Sequence, residues 1–214
     1  MSKFRYLIES GHGGLDPKTN EYVTRGKRSP KWEDKTFPDG SPFILYEGVN
    51  NRDNTKRIIK ALQDEGIDCL DLVPGWEDES LGRRIRKVNR IHKEEKKSIL
   101  ISIHSNAAGS SGEWANARGN GLYIYSGASK TSRLFANILG DQMEDRFSHL
   151  TRWRGIKERD FYVLRESSCP AILIEAGFHD NKEDAALILT CEYKDALVKS
   201  IVEAIKIFEE EIIE

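Results

Sequence analysis

The stretch LIESGHGG, residues 7–14, sets one histidine among three glycines directly after an apolar, β-favouring run. Glycine removes side-chain bulk and admits backbone conformations that other residues resist, so His12 falls on a sharp turn at a predicted strand end. A histidine there can be a hydrogen-bonded structural residue or a ligand. A second instance shifts the balance: ILISIHSNAAG ends another apolar strand on His104, again followed by small polar residues and glycine. His92, His149 and His179 fall in predicted helical or loop contexts without that setting. The third unusual residue is Glu175, in the apolar run AILIEAGF. A carboxylate there is costly unless it is paired or opens onto a polar cleft; the structural alternative is a buried ion pair with an arginine. Two histidines and a carboxylate are the makings of a catalytic zinc site, where three protein groups bind the metal and one position stays open. A further carboxylate outside the ligand set can carry protons. H-E-x-x-H is absent, which excludes the helix-borne zinc peptidase pattern and leaves ligands that come from separate strand ends.

Such side chains need a scaffold that brings strand ends together. Strand-like segments recur at about 4–9, 67–73, 98–103, 121–126, 161–165 and 171–176, with helical periodicity over 49–65, 79–94, 129–147 and 192–213. The alternation predicts a single α/β domain over residues 1–214: a central, mostly parallel or mixed sheet of about six strands, with helices on both faces. The nearly all-apolar segments 98–103 and 171–176 read as central strands buried on both sides. In such sheets ligands bind outside the carboxyl ends of strands. Residues 13–46 carry four of the six prolines and little periodicity. A loop that long on the rim of a compact domain is functional or mobile.

The 214-residue chain is 38% hydrophobic and 32% charged, with a net charge of −2. That balance gives no general attraction for nucleic acid. No apolar run approaches the ~20 residues of a membrane-spanning helix, so no membrane insertion is expected. The basic run RRIRKVNRIHKEEKK, 83–97, has no interleaved aromatics of the kind single-strand binders use; it reads as a solvated helix face. Cys69, Cys169 and Cys191 are not at metal spacing and read as reduced core thiols. Cys169 has no adjacent histidine to activate it. The N-terminus shows no charged-then-apolar leader.

Four blocks in order, GHGG after the first strand, YEGVNNR opening a helix, SIHSNAA ending a strand, and PAILIEAGFHDN, have GNGLYIYSGAS and RGIKERDFYVLR between the last two. Together they resemble the zinc-dependent N-acetylmuramoyl-L-alanine amidases of the Amidase_3 type, from Leu7 to about residue 205. The resemblance implies Zn2+ held by His12, Glu47 and His104, with Glu175 as general base and acid. It implies hydrolysis of the amide between N-acetylmuramic acid and L-alanine in peptidoglycan. Glu47 rests on the resemblance, since nothing in ILYEGVNNR itself ranks it above Glu33 or Asp34, although an anion in a helix's first turn is favourable. Glu9 stands where the family commonly carries an aspartate. It is either a surface carboxylate at a strand end, the plainer reading, or a partner that orients a ligand. Asn181 matches a family position and reads as structural.

The sequence departs from the family at LVPGWEDES, where a threonine–arginine pair is common, and in the rim segment TRGKRSPKWEDKTFPDGSP. The segment AGSSGEWANARGN is too short for the helix that blocks the zinc in some members, which implies an open site and no activator. The alternatives are another zinc peptidase or carboxypeptidase acting on wall peptides, and a non-catalytic peptidoglycan-binding domain. Without a leader, the expectation is a protein made in the cytoplasm that reaches the wall on release, as a phage or prophage endolysin does. A secreted protein whose leader has been removed is the alternative.

Overall fold

The computed structural model describes residues 2–109 and 112–212. Its strands are β1 (Arg5–Ser10), β2 (Cys69–Asp71), β3 (Ser98–Asn106), β4 (Asn120–Ile124), β5 (Trp153–Glu158) and β6 (Ala171–Phe178). Its helices are α1 (Glu47–Asp64), α2 (Leu81–Arg90), α3 (Lys130–Phe147), α4 (Tyr162–Arg165), α5 (Lys182–Leu187) and α6 (Cys191–Glu211), and a π-helical turn over Ile91–Glu95 extends α2. The strands form one six-stranded sheet in the order β2-β1-β3-β6-β4-β5. All neighbours are parallel except β4, which runs antiparallel to β6.

Alternation along the central strands splits the core in two. Tyr6, Ile8, Ile99, Ile101, Ile103, Ile172 and Ile174 face α1, α3 and α6, with Ile58, Leu62, Phe135, Leu139, Leu197 and Ile201. Leu7, Leu100, Ala171 and Leu173 face α2 and α4, where Ile85, Val88, Val163 and Leu164 cover them. The period of two then carries Glu9, Ser102, His104 and Glu175 to the α2/α4 face at the carboxyl ends of β1, β3 and β6. The strand register matches this, pairing Glu9 with Ser102 and His104 with Glu175.

The architecture is the expected α/β sheet, with three differences in its elements, the first being the short helix α5, which the periodicity did not predict. FYVLR, 161–165, is not a strand but the one-turn helix α4, which turns Val163 and Leu164 inward. The sixth strand is β5. It lies on the sheet edge, paired only with β4, and most of its residues are half-buried. An edge strand with both faces partly wet needs no apolar run, so its sequence carries no strong strand signal. The rim segment is also more ordered than its composition suggests. Bridges join Leu15 to Tyr22, Arg28 to Tyr46 and Thr36 to Pro42. Trp32 is buried edge-on against Trp114, 5.1 Å between ring centroids.

Candidate active site

The chain leaves β1 through Gly11 and turns at His12, whose φ of 65° is rare for a residue with a side chain. The turn is held at its carbonyls. Asn51 Nδ2 donates to Gly11 O (3.2 Å), and Arg52 Nη1 (2.8 Å) and Arg84 Nη2 (3.0 Å) donate to His12 O. Thr24 Oγ1 accepts from Gly13 N at 2.7 Å. The motif EGVNNR is therefore a clamp: its Asn51 and Arg52 grip the GHGG turn. Gly48 lets α1 come down on that turn, because a Cβ at Gly48 would overlap the Gly13 carbonyl. The close approach sets Glu47, the first residue of α1, beside both histidines.

Glu47 Oε1 lies 3.0 Å from His104 Nδ1, 3.4 Å from His12 Nε2 and 3.3 Å from Ser105 N, which donates to it. One ligand atom from each of His12, Glu47 and His104 falls within 4.8 Å of the others, the only such group among the described residues. Glu47 is buried, which alone would raise its carboxyl, but the hydrogen bonds and charges of His104 and His12 hold it well below the usual range. Burial alone would lower the His104 imidazole, yet Glu47 and then Glu9 lift it to about 9. The pocket thus favours positive charge between two buried carboxylates. Two imidazoles and one carboxylate are the donor set of a catalytic zinc site, and a cation entering there displaces the imidazole proton.

Glu175 is the one residue of β6 that is not fully buried, although its Oε2 is closed off from solvent. Burial raises its carboxyl to about 8, with Glu47 acting in the same direction and His104 and Lys27 opposing. Its Oε2 has no hydrogen-bond partner among the described residues. An isolated carboxyl tuned towards neutrality is what a proton carrier needs.

Glu9 is not the surface carboxylate of the plainer reading. It is 1% exposed, paired to the equally buried Arg84, and it accepts from Ser102 Oγ. Burial raises its carboxyl, and Arg84 and His104 more than reverse this. Its Oε2 lies 4.0 Å from His104 Nε2, the ring nitrogen turned away from Glu47. The buried arginine pair considered for Glu175 thus belongs to Glu9, and Arg84 is an exception to the solvated basic face of α2. Arg84 also reaches Ser10 O at 2.6 Å and Asp78 Oδ1 at 3.3 Å, tying α2 to the end of β1.

His179 belongs at the site too, although its sequence context gave it no such place. It follows β6 directly and is buried. Its Nδ1 lies 3.1 Å from both the Ser105 carbonyl and hydroxyl, and 3.7 Å from Glu47 Oε2. It lines a cavity of about 650 Å³ with Arg28, Lys31, Trp114 and Asp180. The remaining histidines stand apart: His92 Nδ1 accepts from Ser98 N, and His149 faces Glu192. Asn181 is structural, capping α5 by accepting from Asp184 N at 3.0 Å. Of the thiols, Cys169 is buried and pushed up to about 12, Cys69 is half-buried and Cys191 is exposed rather than in the core.

The family described as N-acetylmuramoyl-L-alanine amidase matches residues 7–207. This chain belongs to that family. Among curated relatives, it is 33% identical over 206 residues to an uncharacterised cell wall amidase of Bacillus anthracis, covering 91% of this chain and 33% of that protein. It is 31% identical over 196 residues to the N-acetylmuramoyl-L-alanine amidase CwlM of Bacillus licheniformis, covering 91% and 64%. The chain therefore spans about a third of the first and under two thirds of the second. The crystal structure of an N-acetylmuramoyl-L-alanine amidase from Clostridium difficile 630 superposes with a TM-score of 0.76 at 26% identity, covering 98% of both chains. Membership in this amidase family gives the GHGG turn a sharp test. A Cβ at Gly11 would overlap the His104 ring. Gly11→Ala is expected to displace His104 and to weaken divalent-cation binding at the His12, Glu47 and His104 cluster by about 10–100-fold, read by titration with the cation; unchanged affinity would contradict that packing. Among the described residues no helix is long and apolar enough to cross a membrane.

Proposed function

We propose that this chain hydrolyses the amide between the lactyl group of N-acetylmuramic acid and L-alanine in peptidoglycan, with zinc at His12, Glu47 and His104. The observation that supports this most is their convergence, with Glu175 opposite His104 across β3 and β6. A zinc ion held there supplies Lewis acidity, activating water and polarising the scissile carbonyl. Glu175 takes the proton of the attacking water and passes it to the departing L-alanine nitrogen. Its partnerless Oε2 and raised proton affinity fit both halves of that transfer. Arg84 holds Glu9, Glu9 faces His104, and the clamp of Asn51 and Arg52 holds His12, so the donors are oriented before substrate arrives. The protein is proposed to act at the cell wall. Glu9 is the orienting carboxylate of this scheme.

Digestion of purified peptidoglycan, followed by mass spectrometry, tests the reaction. The expected products are stem peptides with a free L-alanine amino terminus and glycan that keeps its lactyl carboxylate. Loss of a C-terminal residue from the stem instead would assign a carboxypeptidase. Binding to sacculi with no new amine would assign a non-catalytic wall-binding domain. His12→Ala is expected to lose most of its zinc and its amine release together; a fully zinc-loaded variant would remove His12 from the ligand set.

A further inference from the structure

We infer that the cationic rim of the cavity beside His179 selects wall peptides carrying a free carboxylate close to the scissile amide. This rests on the amidase reading and names its substrate class. The segment KRSPK puts Lys27, Arg28 and Lys31 within five residues, all exposed. Among the described residues none of the three side chains makes an ion pair or hydrogen bond. Elsewhere on the surface, cations such as Lys60, Lys87, Arg165 and Lys206 have carboxylate partners.

The backbone that carries these charges is fixed to the metal site. Lys27 O accepts from Glu47 N at 3.0 Å, Arg28 bridges to Tyr46, and Ser29 N donates to Leu45 O at 2.8 Å. Trp32, one residue beyond Lys31, is anchored on Trp114. The charge of Lys27 acts to lower both the Glu175 carboxyl and the His179 imidazole. Arg28 and Lys31 line the cavity itself. The acids that share this lining are Glu33, Glu113 and Asp180, and Asp180 Oδ2 already accepts from Ala108 N at 2.7 Å and Gly109 N at 2.9 Å.

The floor offers a complementary acceptor. A carbonyl can only accept, so the contact with Ser105 O fixes the proton of His179 on Nδ1. Nε2 is left as an acceptor with no protein partner among the described residues. A peptide lying in this cavity places a backbone N–H on His179 and its carboxylate under Lys27 and Arg28. Charge-assisted hydrogen bonds of that kind give selectivity as well as affinity.

The test compares N-acetylmuramyl-L-alanyl-D-isoglutamate with its carboxamide counterpart, using the intact zinc-loaded chain. The free acid is expected to have about tenfold higher kcat/KM, the size of one charge-assisted hydrogen bond. The gap should narrow as salt screens the rim. In the double variant Lys27→Met/Arg28→Met the two substrates are expected to converge, with zinc content and circular dichroism as in the parent. Calorimetry supplies a readout independent of turnover: L-alanyl-D-isoglutamate should bind Glu175→Gln and lose about tenfold in affinity when the two cations are removed. Equal kcat/KM for acid and amide in the parent, or a gap that survives in the double variant, overturns the inference. So does poly(glycerol phosphate) binding through the same cations while the peptide acid is not preferred, because the rim would then read wall phosphates. If the parent cleaves neither substrate but the peptide still binds in a manner that needs Lys27 and Arg28, the amidase reading fails and the carboxylate subsite stands.

Discussion

Replacing Glu175 with glutamine is expected to leave about one equivalent of zinc bound while turnover of peptidoglycan falls by about 10²–10⁴-fold, the usual contribution of a positioned general base and acid. The substitution keeps shape and polarity but removes the proton site. Glu175 is separate from the convergent donor group, so the metal has no reason to leave. Stability should not suffer either. The carboxyl of Glu175 is raised to about 8 because its ionised form is poorly solvated there, so a neutral amide relieves that penalty. Amine release from sacculi, zinc analysis and thermal unfolding on one preparation separate the alternatives. A variant that cleaves at the parental rate removes Glu175 from the reaction. One that loses zinc makes its role structural.

The second large effect is expected at Arg84. Arg84→Met leaves Glu9 buried without its cation, and breaking a buried pair from one side costs about 3–5 kcal/mol. For a chain of this size each kcal/mol lowers Tm by about 2–4 °C, so a drop of roughly 10 °C is expected. The guanidinium also holds the carbonyls of Ser10 and His12, so zinc affinity should weaken in parallel. Adding Glu9→Gln to Arg84→Met removes the stranded charge and should recover a substantial part of the lost stability. A thermal-unfolding cycle over the four proteins measures this coupling. Near-additive effects, or a Tm unchanged in the single variant, would show that the pair does not tie α2 to β1.

The Arg84 pair also shows where reading the sequence reached its limit. His104 and Glu175 were legible because each stands in an apolar strand where burial makes a polar group conspicuous, and His12 because it follows such a strand among three glycines. The sheet was legible for the same reason, from β3 and β6 outward. Glu47 was not, since a helix-starting glutamate is ordinary. Its place depends on how closely α1 approaches the GHGG turn, which Gly48 decides through a contact with Gly13. Arg84 did carry a signal. It falls at helical spacing with Val88 and Ile91, on the buried stripe of α2 and the turn that follows, but a basic run invites a solvated reading. His179 repeats the strand-end pattern of His12 and was hidden because β6 runs to Phe178, two residues past the predicted strand. β5 was hidden by its half-wet edge position, and α4 by being a single turn rich in β-favouring residues.

Diffraction from zinc-loaded crystals at the zinc absorption edge tests the central geometry most directly. One strong anomalous peak is expected, bonded to His12, Glu47 and His104 at about 2.0–2.2 Å, with the Glu175 carboxyl beside its open face and outside the ligand shell. A peak bonded to other side chains, or none at that cluster in protein that releases L-alanine amines from peptidoglycan, would contradict it.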